Sequence, residues 1–266
     1  MPKFSLPDVL RGDRDEEAVA RLKHYYKSQT KRNRPLFSGS TFDTFAPDRN
    51  PRDAFTGEDF LATGLLGVHV PGEAIVKLLH DEGLKQDLEY QLQRLPSDVD
   101  LSDLNEAAFQ RLMGAKDSPG FVLWDMIRGN PAATGSRDHV RMGPTLTSKL
   151  LARKRPRLMP IWDSRVSDQI GMTNSADHWI GMWEVLTADN DALRKRLVAI
   201  RANAQIDASK VSLLRTFDVV VWHADKYKDW SEQDVVEFAE PADDPGEIGD
   251  AADAMDNSPY LQFQDK

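Results

Sequence analysis

The stretch SKVSLLRTFDVVVWHA, from Ser209 to Ala224, constrains the fold more than any other part of the chain. Its Val219-Val220-Val221 run favours a strand by β-branching. Its length and the SLLRTFD lead favour a buried helix, and helix is the reading adopted here. Leu213, Leu214, Phe217, Val220, Val221 and Trp222 then cover most of its circumference. A helix that is apolar nearly all round belongs in an interior, enclosed by other elements.

The surrounding sequence supplies helices to enclose it. Asp15 to Ser28 carries acidic residues at its start and lysines near its end, which suits the helix dipole. Thr56 with Asp59 has the spacing of a capping pair ahead of FLATGLLGV. Pro71 opens GEAIVKLLHDEG, and a second helix follows from Leu84 to Leu95. Ser102 is placed to cap DLNEAAFQRLMG. Ser118-Pro119 opens a helix through Phe121, Leu123, Trp124 and Ile127 that stops at Gly129-Asn130-Pro131. Ser164 to Ile170, His178 to Leu186 and Ala192 to Ala204 complete the set. Lys31 to Arg52 holds Pro35, Pro47 and Pro51 and reads as an irregular connection. The expected fold class is mainly all-α. The expected organisation is an N-terminal helix and connection over 1–55, a helical domain over 56–230, and a tail over 231–266.

Charge sets the tail apart. The chain has 43 acidic and 34 basic residues, for a net charge of -9. Eleven of the acidic residues and one lysine lie from Ser231 onward, which leaves 32 acidic and 33 basic residues in a nearly neutral body. The tail is poor in large apolar residues and reads as disordered, most clearly over Pro241 to Asn257. Its expected partner is a basic surface, either in cis or on another protein. Cysteine is absent, so thiolate chemistry, disulfides and Cys-type zinc sites are excluded. The N-terminus lacks an apolar leader and no apolar stretch is long enough to span a bilayer, so the expectation is a cytoplasmic protein with no membrane partner.

Several chemistries have no motif here. There is no phosphate-binding GxxxxGK[ST], no GxGxxG, no HExxH and no GxSxG. The six histidines are scattered without ligand spacing. Neither a metal nor a cofactor is therefore expected.

One segment gathers several features. In GPTLTSKLLARKRPRLMPIWDSRV, Gly143-Pro144-Thr145 opens a helix whose free N–H groups favour an anion. Lys149, Arg153, Lys154, Arg155 and Arg157 crowd that helix and its exit, a pattern that neutralises phosphates. Pro160-Ile161-Trp162 then leads to Asp163, a carboxylate beside apolar neighbours and a candidate base or oxocarbenium stabiliser. Asp163 followed by Ser-Arg-Val-Ser is equally a good helix N-cap.

Val140 to Val166 resembles the hairpin-plus-aspartate segment of the helix-hairpin-helix DNA glycosylase superfamily. On that resemblance Met142-Gly143-Pro144 is the turn, Thr145 to Lys154 the second helix, and Pro160-Ile161-Trp162-Asp163 the segment presenting the catalytic aspartate. Arg141 stands where the superfamily has its first hairpin glycine, and Trp162 is one residue more than its Pro-hydrophobic-Asp spacing. No lysine occupies the start of the second helix, where bifunctional members carry their nucleophile. The resemblance therefore implies a monofunctional base-excision glycosylase, with DNA as partner and no Schiff base. Asp163 is its catalytic residue. Gly143, Thr145, Lys149, Arg153, Lys154 and Arg155 are its DNA contacts, and Trp124 and Trp162, with Trp179, Trp183 and Trp222, are candidates for a flipped-base pocket. SKLLARKRPRLMPIWDSRV and LLRTFDVVVWH are also similar to an uncharacterised, mostly actinobacterial family. The alternatives are a non-catalytic DNA-binding module and a protein-interaction factor with no nucleic-acid role.

Overall fold

The computed structural model describes residues 4–29, 34–128, 140, 142–175 and 177–230. The expected tail at 231–266, the helix stop at Gly129-Asn130-Pro131 and the hairpin position Arg141 lie outside the described residues. Within them the fold is all-α. Strand among these residues is confined to the antiparallel pairing of Ser28–Gln29 with Arg34–Pro35.

Eleven α-helices are described. They are α1 (Asp15–Tyr26), α2 (Gly57–Leu65), α3 (Gly72–His80), α4 (Glu82–Gln93), α5 (Glu106–Phe109) and α6 (Pro119–Arg128). The remainder are α7 (Pro144–Lys154), α8 (Ser164–Ile170), α9 (His178–Thr187), α10 (Ala192–Asn203) and α11 (Leu213–Lys226). No described helix is long and apolar enough to cross a membrane.

The central apolar run is a helix, α11, and it is enclosed as its composition demands. Ser212 caps it, its side chain accepting from Arg215 N at 3.1 Å. Residues Leu213 to Val221 are all buried. Helices α1, α8 and α10 pack around it. A second set follows α6, which packs on α4 and α7, with α2 against α7. Local backbone preference for strand at Val219-Val220-Val221 yields here to burial on all sides, which tertiary packing decides.

One boundary differs from the sequence reading. Ser102 does not cap a helix: Leu101–Asp103 forms a 3₁₀ turn, and Asn105 caps α5 by accepting from Ala108 N at 2.9 Å. Both residues are good cap types, and Asn105 stands nearer the apolar face that starts at Ala108. The irregular connection after α1 contains two short helical turns. Ser38–Thr44 and Pro47–Arg49 are 3₁₀-helical. Val9, Leu10, Leu22, Tyr25 and Phe42 share one apolar cluster with residues from 56 onward.

Candidate functional site

Three groups fix the turn that presents Asp163. Ser148 on α7 accepts from Trp162 N at 2.8 Å and passes its own hydrogen to Thr145 O at 2.9 Å. His178 at the start of α9 meets the carbonyl of Ile161 at 3.0 Å through Nε2. A carbonyl only accepts, so Nε2 carries the hydrogen. Burial holds the His178 pKa down at about 4, which keeps the ring neutral for this task. Asp163 Oδ1 accepts from Arg165 N at 3.1 Å, capping α8. Its other oxygen, Oδ2, receives Lys149 Nζ at 3.1 Å, and the same amine donates to Leu66 O at 3.1 Å. Asp163 is thus both a cap and a member of a half-buried ion pair.

That pair borders a cavity of about 220 Å³. Tyr25, Phe37 and Trp222 form its aromatic wall, with the Tyr25 and Phe37 rings stacked 5.1 Å apart. Asp218 and Arg215 reach it from α11, and Lys226 stands at its rim. Arg215 Nε lies 3.2 Å from Asp43 Oδ2, Nη1 pairs with Asp218, and Nη2 donates to Tyr25 Oη and Gly39 O, both at 2.8 Å. Lys226 Nζ sits 4.9 Å from the Trp222 ring centre, a cation–π contact. Burial lowers its pKa, and Arg165 nearby acts in the same direction.

Close to this wall, Arg21 Nη1 lies 3.2 Å from His223 Nδ1, and His223 Nε2 lies 2.8 Å from His24 Nδ1. Guanidinium only donates, so His223 Nδ1 accepts and its Nε2 carries the hydrogen toward His24. Burial depresses both pKa values, to about 3 for His223 and about 4 for His24. This keeps the line of hydrogen bonds in one direction. Among the described residues no group of three or more His, Asp or Glu side chains is placed to hold a metal ion.

The basic run takes a different place from the one its sequence suggests. Arg153, Lys154 and Arg155 point inward and are 5%, 4% and 1% exposed. Arg153 donates to Phe42 O at 2.7 Å and to Phe45 O. Lys154 Nζ meets Asp59 Oδ2 at 2.6 Å, Asn50 Oδ1 at 2.7 Å and Pro51 O at 3.0 Å. Arg155 pairs with Asp53 and donates to Arg52 O at 2.7 Å, Leu95 O at 2.9 Å and Leu92 O. Lys149, Arg153, Lys154 and Arg155, expected as DNA contacts, are buried in this structure. Their partners are backbone carbonyls and internal carboxylates, and three of them pin the Phe42–Asp53 connection to the end of α7. Gly143 and Thr145 alone of the six expected contacts lie at the solvent side of α7, at its N-terminal end.

The tryptophans also separate. Trp124 is a core residue set edge-on to Trp179, and Trp162 packs edge-on to His178 at 5.2 Å. Neither lines the cavity; of the candidate tryptophans, Trp222 does. Sequence reasoning missed Tyr25, Phe37, Arg215, Asp218 and Lys226 as site residues. The available signal was Arg215 and Asp218 inside the most apolar helix, since buried charges need partners.

Fold and cavity define an all-α protein with a small aromatic-walled pocket built on buried ion pairs. The chain belongs to DUF6308, a family of unknown function, whose model matches residues 18–225. That span takes in every cavity-lining residue except Lys226. Neither a curated protein nor a solved structure matches the chain.

Proposed function

We propose that the cavity takes up a planar heterocyclic base and that Asp163 supports cleavage of the N-glycosidic bond at its mouth. The observation that carries this reading is that Asp163 shares the 220 Å³ cavity with Tyr25, Phe37 and Trp222. That volume is below the roughly 300–1,000 Å³ of drug-sized ligand sites, which suits one ring system rather than a whole nucleotide. Aromatic rings stack on such a base, and a fixed carboxylate stabilises the positive charge that develops on the sugar as the bond opens. A base within duplex DNA reaches a pocket of this kind by flipping out of the stack. The resemblance of Val140 to Val166 to the DNA glycosylase segment supports the same chemistry. The inward-facing basic run lends no support to a phosphate grip, so free nucleosides stand beside DNA as substrates.

Base release from free nucleosides and from duplexes carrying altered bases tests this. Asp163→Asn is expected to slow release by about 100-fold or more. A wild-type protein that releases no base from either substrate class overturns the reading.

A second reading is favoured by one specific observation. Both oxygens of Asp163 are already engaged, by Lys149 Nζ and Arg165 N. A carboxylate so tied down suits a binding site without turnover. Equal base affinity in wild type and Asp163→Asn, with no release by either, identifies that case.

A further inference from the structure

Arg215 holds two carboxylates at once, Asp43 and Asp218, whose side chains are 4% and 9% exposed. The neighbouring Lys149–Asp163 pair is neutral within itself. Fully ionised, these five groups hold three negative and two positive charges; Arg153 also faces Asp43 and offsets charge there, so the excess falls on the cavity side, at Asp218 and Asp163. Lys226 does not cancel it, because it is exposed at the rim and lies over Trp222 and Phe37. An unpaired buried charge is relieved most readily by a proton, and two carboxylates that share one cation are where it settles. Burial pushes the pKa of both Asp43 and Asp218 upward. Asp218 reaches about 6, and the charge of Asp163 adds to the effect of burial there. The other titratable groups around Asp218 are Arg215 on its own helix, Lys149 on α7, Asp43 from the 38–44 segment, and Tyr25 and Tyr26 from α1. Of the two carboxylates on Arg215, Asp218 lines the cavity and Asp43 does not.

We propose that Asp218 is the general acid of this site, giving its proton to the leaving nitrogen of the base. The proposal rests on the N-glycosidic reading above. As the bond between the anomeric carbon and the base nitrogen breaks, its electron pair stays with the nitrogen, which takes the Asp218 proton. Asp218 remains as a carboxylate against Arg215, and Asp163 faces the oxocarbenium-like sugar. Water adds its oxygen to the anomeric carbon and returns a proton to Asp218. The products are the free base and a sugar with a new hydroxyl. Environments that separate the behaviour of two carboxylates in one pocket divide such roles between them.

Leaving groups that differ in their need for a proton provide the test. Guanine requires protonation to depart, whereas 7-methylguanine already carries a positive charge and departs neutral. Both are offered as nucleosides and within duplex DNA to the full-length chain. Asp218→Asn is expected to lower the ratio of guanine to 7-methylguanine release by about 100-fold, the size of a typical general-acid contribution. Asp163→Asn is expected to slow both releases and leave that ratio in place. Equal slowing of the two by Asp218→Asn overturns the role of Asp218 while the glycosidic reading stands. No release of either base by wild type overturns the glycosidic reading and this one with it. Infrared titration reads the stored proton without turnover. A protonated-carboxyl band below pH about 6 that vanishes in Asp218→Asn supports the proposal, and its absence from wild type overturns it.

Discussion

Lys149 Nζ stands 3.1 Å from Asp163 Oδ2, joining the middle of α7 to the cap of α8 across the wall of the cavity. The lysine side chain is 6% exposed and the aspartate 18%. Removing either partner leaves the other charge short of compensation in a poorly solvated place. Lys149→Met and Asp163→Asn are each expected to destabilise the protein by about 2–4 kcal/mol, slightly below the range for a fully buried pair. The double variant is expected to recover about 1–3 kcal/mol of the summed loss. Urea unfolding of the four proteins measures this coupling. Strict additivity of the two single losses would refute the pairing as an energetic unit.

Asp59 makes a stronger version of the same argument. Its side chain is 0% exposed and meets Lys154 Nζ at 2.6 Å and Arg153 Nε at 3.5 Å. It also accepts from Thr56 N at 2.8 Å, completing the capping box of α2. Asp59→Asn keeps the shape and removes the charge, so buried Lys154 loses its carboxylate partner and Arg153 loses one of two. The expected loss is about 3–5 kcal/mol, read by thermal or chemical unfolding. The same geometry separates structure from nucleic-acid contact. Lys154→Met is expected to lower the unfolding temperature and to leave the salt slope of any DNA affinity untouched. A slope smaller by about one in the folded variant would place that amine on a phosphate after all.

The helices were legible in the sequence because apolar spacing and caps act locally. Thr56 with Asp59, Gly143-Pro144 and Asp163 all stand at helix starts in the structure. The basic run was legible as a cluster, but its direction was not. A sequence shows that Arg153, Lys154 and Arg155 are adjacent. It does not show that Asp59, Asp53 and the carbonyls of Phe42, Phe45, Pro51 and Leu95 converge on them from 60 or more residues away. The cavity was hidden for the same reason, since Tyr25, Phe37, Asp163 and Trp222 meet only through tertiary packing. Asp163 lines the cavity, and the sequence singles it out because the motif around it is continuous in the chain.

His178 ties the presentation of Asp163 to pH. Its ring is buried and neutral, with a pKa held at about 4 in the fold against about 6.5 in the unfolded chain. As pH falls from about 6.5 toward 4, the unfolded state takes up a proton that the folded state refuses, so stability falls. The loss from this residue approaches about 3 kcal/mol as pH reaches about 4. Asp218 acts with the opposite sign, because its raised pKa lets the folded state bind the proton first. The difference between wild type and His178→Gln isolates the histidine. That difference is expected to shrink with falling pH and level off near pH 4; a constant difference from pH 7 to 4 would contradict a buried neutral ring.

Gly39 and Gly67 both line the cavity, and they are glycines for different reasons. A Cβ on Gly39 would overlap the Tyr25 hydroxyl and come within 2.9 Å of Leu66 Cδ2. The Tyr25 hydroxyl and the Gly39 carbonyl are two of the partners that hold Arg215. Gly39→Ala therefore pushes directly on the network carrying Asp218, with an expected loss of about 1–3 kcal/mol for overpacking. Gly67 has open space around its Cβ position but a φ of +73°. Gly67→Ala is expected to lose about 1–2 kcal/mol through left-handed backbone strain alone. The two variants can be matched in stability and compared for binding of a fluorescent base. Gly39→Ala is expected to weaken binding at least about 10-fold, equivalent to about 1.4 kcal/mol, and Gly67→Ala to bind as wild type does. Equal affinities for the two would show that the Tyr25–Arg215 side of the cavity does not touch the ligand.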